Sequence, residues 1–222
     1  HLPVDLVLML RLRDPVWLSE SLSWGLALAA LMTVFNGFSD IKSLIQYGAI
    51  PAYLIAISLG FFIHELAHKY VALARGCQAR FTISSLGLLM TTVFGLFASL
   101  AHFLGARLPF VIAAPGYVGI RCSYWGTRTL FGGTTSEGLI AAVGPISNIV
   151  LSMIGIIGMR LAVLIPLPGL YTVFYAIKYV NAVLAVFNLL PIPPLDGYKV
   201  ARWNPLIYLA ISIMALMLLV LY

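Results

Sequence analysis

His64-Glu65-Leu66-Ala67-His68 is the stretch of this 222-residue chain whose residue types and spacing could do chemistry. Residues four apart on an α-helix share a face, so both imidazoles can reach one metal ion while Glu65 points toward the same opening. Two histidine ligands beside a carboxylate base form the HExxH arrangement of a zinc hydrolase, with one Zn2+ per chain. The setting is apolar, with Tyr53 to Ile63 before the motif and Tyr70 to Ala74 after it. Ionisable side chains at membrane depth are costly and are kept there for function. The reading is hydrolysis inside a bilayer.

A third ligand is expected from Phe187-Asn188-Leu-Leu-Pro191-Ile-Pro193-Pro194-Leu195-Asp196-Gly197. Each proline lacks an N–H and disfavours helix in the residue before it, so an apolar helix must loosen here. A broken helix at membrane depth is tolerated where it is buried in protein or lines a wet cavity. The acids of the chain are Asp5, Asp14, Glu20, Asp40, Glu65, Glu137 and Asp196. Outside the HExxH stretch, Asp196 is the one that follows an apolar segment in a proline-broken setting. Two histidines plus one acid is a common catalytic zinc set. Glu137, after Thr134-Thr135-Ser136, reads as a first-turn residue that suits a helix dipole.

The elements that must hold these residues are membrane-like. Hydrophobic residues make up 62% of the chain and charged residues 9%, with mean hydropathy +1.03. A soluble domain carries roughly a quarter charged residues. Apolar segments fall at about 16–36, 48–74, 85–106, 137–165, 170–191 and 205–222. The first is weak, with Trp24 resembling an interfacial aromatic. The expected fold is an all-α polytopic membrane protein of five to six segments. A short β or re-entrant region follows the HExxH helix, where Pro109, Pro115, Gly116, Gly119, Gly126, Gly132 and Gly133 crowd together. A hairpin around Pro115-Gly116 would suit residues 107–120. The expectation is a single membrane domain over 1–222, with no leader and no appended soluble domain. Cys77 and Cys122 fit no CxxC pattern and read as free thiols.

HELAH in one hydrophobic helix and NLLPIPPLDG at the end of a later one resemble the site-2 protease family of intramembrane zinc metalloproteases. The resemblance covers about residues 48–200. It implies metal ligation by His64, His68 and Asp196, with Glu65 beside them. The family's Asn-x-x-Pro-x-x-x-Leu-Asp-Gly element falls on Asn188, Pro191, Leu195, Asp196 and Gly197. A Gly-Pro-x-x-Asn on the intervening helix falls on Gly144, Pro145 and Asn148.

Topology follows from convergence. His64 and His68 lie in the later half of their helix, and Asp196 lies at the C-terminal end of its own, so those helices must run parallel. The 137–165 helix supplies one return between them. An even number of crossings then separates Tyr70 from Glu137, so 85–106 re-enters or is paired by the 108–121 stretch. Arg11, Arg13, Lys69, Arg75, Arg80, Arg107, Arg121, Arg128, Lys199 and Arg202 gather on the catalytic side. Lys42, Arg160 and Lys178 lie opposite. The excess of positive charge makes the catalytic face cytoplasmic. The expected location is a prokaryotic cell membrane, spanned several times.

Glu65 is the expected general base, taking a proton from water and returning it to the leaving amine. Asn188 is the first candidate donor to the oxyanion and Asn148 the second. Plainer roles stand beside these. The histidine pair could bind haem or pack on polar partners, Asp196-Gly197 is also common turn chemistry, and Asn188 could be a structural amide. Gly144-Pro145 could be a simple kink. Gly155 and Gly158 read as close packing. The alternative function is a metal-ion or proton transporter or channel using the same cluster. Partners on the protease reading are the lipid bilayer and a membrane-protein substrate with a transmembrane helix; the basic charge does not call for nucleic acid.

Overall fold

A computed structural model describes residues 18–34, 51–103 and 115–221. Among them, α1 (Glu20–Val34), α2 (Ala52–Ala74), β1 (Gln78–Ile83), α3 (Ser85–Phe103) and β2 (Gly116–Arg121) come first. They are followed by α4 (Thr135–Ala162), α5 (Leu170–Asn188), α6 (Asp196–Trp203) and α7 (Pro205–Val220). Six of these helices fall on the six apolar stretches of the sequence. Three of them, α2, α4 and α5, are long and apolar enough to cross a membrane, while α1, α3 and α7 are apolar over shorter stretches. Arg11, Arg13, Lys42 and Arg107, which entered the charge comparison, lie outside the described residues.

The chain divides into two compact units. One holds α1, α3 and the inner ends of the two strands. Trp24 of α1 stacks on Phe81 of β1 with ring centroids 4.0 Å apart, so this aromatic packs within the protein rather than only marking an interface. The Phe81 backbone N–H donates to Glu20 Oε1 at 3.1 Å.

The second unit holds α2, α4, α5, α6 and α7. Small residues let its helices approach closely, as they do where lipid offers no hydrophobic drive to pack. A Cβ on Gly155 would fall 2.7 Å from Lys178 Cα, and one on Gly158 would strike the Phe174 ring. Both glycines are therefore packing residues, as the sequence suggests. Ala141, Ala142 and Ile149 of α4 pack with Ala182 and Ala185 of α5, Val200 of α6, and Ile211 and Ala215 of α7. The contacts also set directions. Gly60 lies beside Asn181 while His64 and His68 lie beside Asp196, so α2 and α5 run parallel. His64 meets Asn148 and His68 meets Ile140, so α4 runs antiparallel to α2. That is the arrangement convergence demanded.

Local signals explain the ends. The α2 helix closes on Gly76 at φ +73, with Gly76 N–H on the Leu73 carbonyl and Cys77 N–H on that of Ala72. This is a Schellman closure, and it turns the chain directly into β1. Thr134 caps α4 by accepting from the Glu137 N–H at 3.3 Å, and Glu137 occupies the first turn where a negative charge suits the dipole.

One sequence expectation is corrected and one lies outside the described residues. Among the described residues β2 pairs with β1, while the first arm of the hairpin expected around Pro115-Gly116 falls in residues 104–114, which are not described. Ser84 N–H donates to the Pro115 carbonyl at one end of the ladder, and Cys77 meets Cys122 at the other, so the strands are antiparallel. The cysteines are accordingly not free thiols. They form a disulfide across the ladder, with Cα atoms 4.3 Å apart. Neither pairing has a local signature, because the two partners of each lie dozens of residues apart.

Candidate metal centre

The α2 helix turns one stripe inward, Ala56, Ile57, Gly60, Phe61, His64, Glu65, His68 and Ala72. Helical spacing puts His64 and His68 on successive turns of it. Opposite them, α5 ends at Asn188, and residues 189–195 turn back through the prolines, with Leu195 N–H on the Ile192 carbonyl. Pro191 and Pro194 thus serve as expected, separating α5 from α6. Asp196 opens α6 as a first-turn residue. Gly197 makes this possible, since a Cβ there would lie 2.7 Å from Leu189 Cα and nearer still to the Leu189 carbonyl.

The three predicted ligands meet. His64 Nε2 and His68 Nε2 are 3.0 Å apart, and Asp196 Oδ2 lies 3.3 Å from the first and 3.1 Å from the second. Ligands about 2.0–2.1 Å from a tetrahedral zinc are separated by about 3.3–3.4 Å, so this triangle has the size of one face of a zinc site. All three residues are buried. They form the one group of this kind found among the described residues.

Hydrogen bonds fix which nitrogen faces the centre. His64 Nδ1 lies 2.5 Å from Asn148 Oδ1, and His68 Nδ1 lies 2.6 Å from the Ile140 carbonyl. Both acceptors sit on α4. Each imidazole donates its Nδ1–H outward, which leaves the Nε2 lone pair for a metal. Burial by itself would raise the Asp196 carboxyl. Without a metal, and with protons on the imidazole Nε2 atoms, the charge of His68, hydrogen bonds from both rings, and Lys199 with Nζ 3.7 Å from Oδ1 outweigh it and hold the group well below the usual carboxylate range. A metal would take the place of those Nε2 protons. An ionised carboxylate and two neutral imidazoles are the forms that bind zinc. Three such ligands would leave a bound zinc a fourth position, as catalytic sites do.

Gly144 completes the fit. A Cβ there would fall 2.7 Å from His64 Nε2 and closer to His68 Nε2, inside the space between the ligands. Its place in the sequence motif therefore reflects contact with the centre and not a kink alone. Pro145, buried inside α4, removes one helical N–H next to this point.

Asn148 is completely buried, and its whole amide is engaged. Oδ1 accepts from His64, while Nδ2 donates to the Gly60 carbonyl at 3.1 Å and to Asn181 Oδ1 at 2.8 Å. Both of its N–H groups being used, Asn148 is not placed to donate to an oxyanion. Asn181 in turn donates to the Ile177 carbonyl at 2.8 Å. Sequence reasoning missed Asn181, Gly60 and Ile140. Asn181 carried a usable signal, a polar amide within an apolar helix; a backbone carbonyl such as Ile140's carries none. Asn188 sends one amide hydrogen to the Leu184 carbonyl of its own helix at 3.0 Å. Glu65 is buried beside His64 on α2.

No family model matches the chain, and no solved structure does. Two curated proteins are similar to it. "Putative zinc metalloprotease MJ0611" of Methanocaldococcus jannaschii is 36% identical over 166 residues, covering 72% of this chain and 74% of that protein. "Putative zinc metalloprotease YwhC" of Bacillus subtilis is 30% identical over 164 residues, covering 68% of this chain and 67% of that protein. With a His64–His68–Asp196 cluster of zinc dimensions and relatives of this kind, the chain belongs to this family of zinc metalloproteases.

Proposed function

We propose that this chain is an intramembrane protease of the site-2 type, cutting peptide bonds in or near transmembrane segments of other membrane proteins. The observation that carries the reading is the source of the ligands. His64 and His68 come from α2, their supports from α4, and Asp196 opens α6 just after the turn that ends α5; among the described residues α2, α4 and α5 are the three helices apolar and long enough to span a bilayer. A hydrolytic centre built from such helices suits a substrate that is itself in the membrane.

On this reading His64, His68 and Asp196 would hold the ion, with Asn148 and the Ile140 carbonyl fixing the two rings. When bound, zinc lowers the pKa of a coordinated water toward about 7 and polarises a carbonyl. Glu65 takes the proton of the attacking water and returns it to the leaving amine nitrogen. Asn188 is the proposed donor to the developing oxyanion, its second amide hydrogen remaining after the first goes to Leu184. Helical substrates hide their peptide bonds, so the segment must unwind. Among the described residues the sheet has two strands, and an edge of it could offer the segment backbone partners as an added strand.

The catalytic side is proposed to be cytoplasmic on the positive charge it gathers, although a disulfide there runs against the reducing cytosol. The Cys77–Cys122 disulfide supports the even number of crossings required, because the 45 residues from one cysteine to the other begin and end together. Reconstitution into liposomes with a fluorogenic transmembrane peptide tests the function. Cleavage abolished by a zinc chelator and by Glu65→Gln is the expected result. Cleavage of soluble unfolded proteins with transmembrane peptides left intact would reject intramembrane action while leaving the metalloprotease standing.

A further inference from the structure

Lys178 is a buried cation in the apolar helix α5, and the metal chemistry has no use for it. It is pinned in place. Ser152 Oγ donates to its carbonyl at 3.0 Å, and Gly155 of α4 lies against its backbone. Its ammonium donates to the Leu221 carbonyl at 2.5 Å, which uses one of three N–H donors. Lys178 also lines a cavity of about 310 Å³ between α4 and α5, together with Arg160, Tyr171 and Tyr175. That volume is at the lower end for small-molecule sites, about 300–1,000 Å³.

Two cations thus share one cavity, and none of the ion pairs among the described residues involves either of them. Glu137, the remaining carboxylate of α4, lies 23 residues before Arg160, roughly 34 Å along the helix at ~1.5 Å per residue. Two like charges lining one cavity, with no carboxylate paired to either among the described residues, favour an anionic occupant. The walls say which kind. Ile156, Met159 and Val163 supply apolar surface, and Val163 is exposed. The tyrosines supply hydroxyl donors of the sort found at membrane interfaces. Arg160 stands in the last turn of a membrane-length helix, where headgroups would lie.

We propose that the Arg160–Lys178 cavity binds the phosphate headgroup of an anionic phospholipid, with its glycerol and upper acyl carbons against Ile156, Met159 and Val163. Basic pockets between membrane helices bind such headgroups by charge and hydrogen bonding. The proposal needs α4 and α5 to lie in a bilayer but does not depend on proteolysis.

Native mass spectrometry of the purified chain in detergent, titrated with phosphatidylglycerol, phosphatidylcholine or inorganic phosphate, tests it. One retained phosphatidylglycerol is expected, bound at least ~10-fold more tightly than phosphatidylcholine and released by raised salt. Arg160→Gln should weaken that retention by about 10-fold, while Arg128→Gln, outside the cavity, should not. Lys178→Met should act in the same direction; should it fail to fold, Arg160→Gln decides alone. Equal retention of the two lipids, or full retention by Arg160→Gln, overturns the proposal. Saturation by millimolar phosphate, with no gain from the lipid, assigns a free anion and overturns the lipid as occupant.

Discussion

Asn148 Oδ1 lies 2.5 Å from His64 Nδ1, so a residue of α4 sets the tautomer of a metal ligand on α2. The amide that does this is itself held by Gly60 and Asn181, which ties three helices to the orientation of one imidazole. Supports of this type are worth about 10–100-fold in metal affinity.

Asn148→Ala should therefore weaken zinc binding by about 10–100-fold, which is about 1.4–2.7 kcal/mol. Asn181→Ala should produce a smaller loss in the same direction, because it frees Asn148 to rotate. Competition with a chromogenic chelator measures both. Unchanged affinity in Asn148→Ala would mean that the ring is oriented by packing alone.

Gly144→Ala is expected to exclude the metal by volume. The added methyl falls 2.7 Å from His64 Nε2, in a helix where alanine is otherwise favoured by up to ~1 kcal/mol over glycine. The variant should fold, retain its helical circular dichroism and bind at least ~10-fold less zinc. Full zinc occupancy would show that the ligands can shift aside.

His64→Ala, His68→Ala and Asp196→Ala should each lose zinc and peptide cleavage together. Glu65→Gln should separate the two, keeping zinc while turnover falls by at least ~10²-fold, the usual scale for a general base. Zinc content by atomic emission, read beside single-turnover cleavage, checks all four. Asp196→Ala with full zinc and full activity would remove it from the ligand set.

Arg75, Arg80 and Arg128 are expected on one side of the membrane. Single cysteines at 80 and 128, in a background without Cys77 and Cys122, should react with an impermeant thiol reagent from the same face. Labelling of 80 from one face and 128 from the other would break the parity that lets Asp196 reach the histidines. In the unaltered chain, neither cysteine should alkylate before reduction, since the two are joined.

His64, Glu65 and His68 were legible because helical periodicity is local, and four-residue spacing dictates a shared face whatever surrounds it. The apolar stretches foretold the helices for the same reason, and the prolines foretold the break before Asp196. Even the parallel course of α2 and α5 followed from the need for three ligands to meet. Tertiary structure alone decided the rest. The donation of His68 to the Ile140 carbonyl depends on a backbone group that every residue carries. The closeness of Gly144 to both Nε2 atoms depends on the packing distance between helices. The Cys77–Cys122 bond depends on the register of two strands with α3 inserted between them. Such contacts join residues far apart in the chain, and their energies belong to a packed geometry that no local pattern encodes.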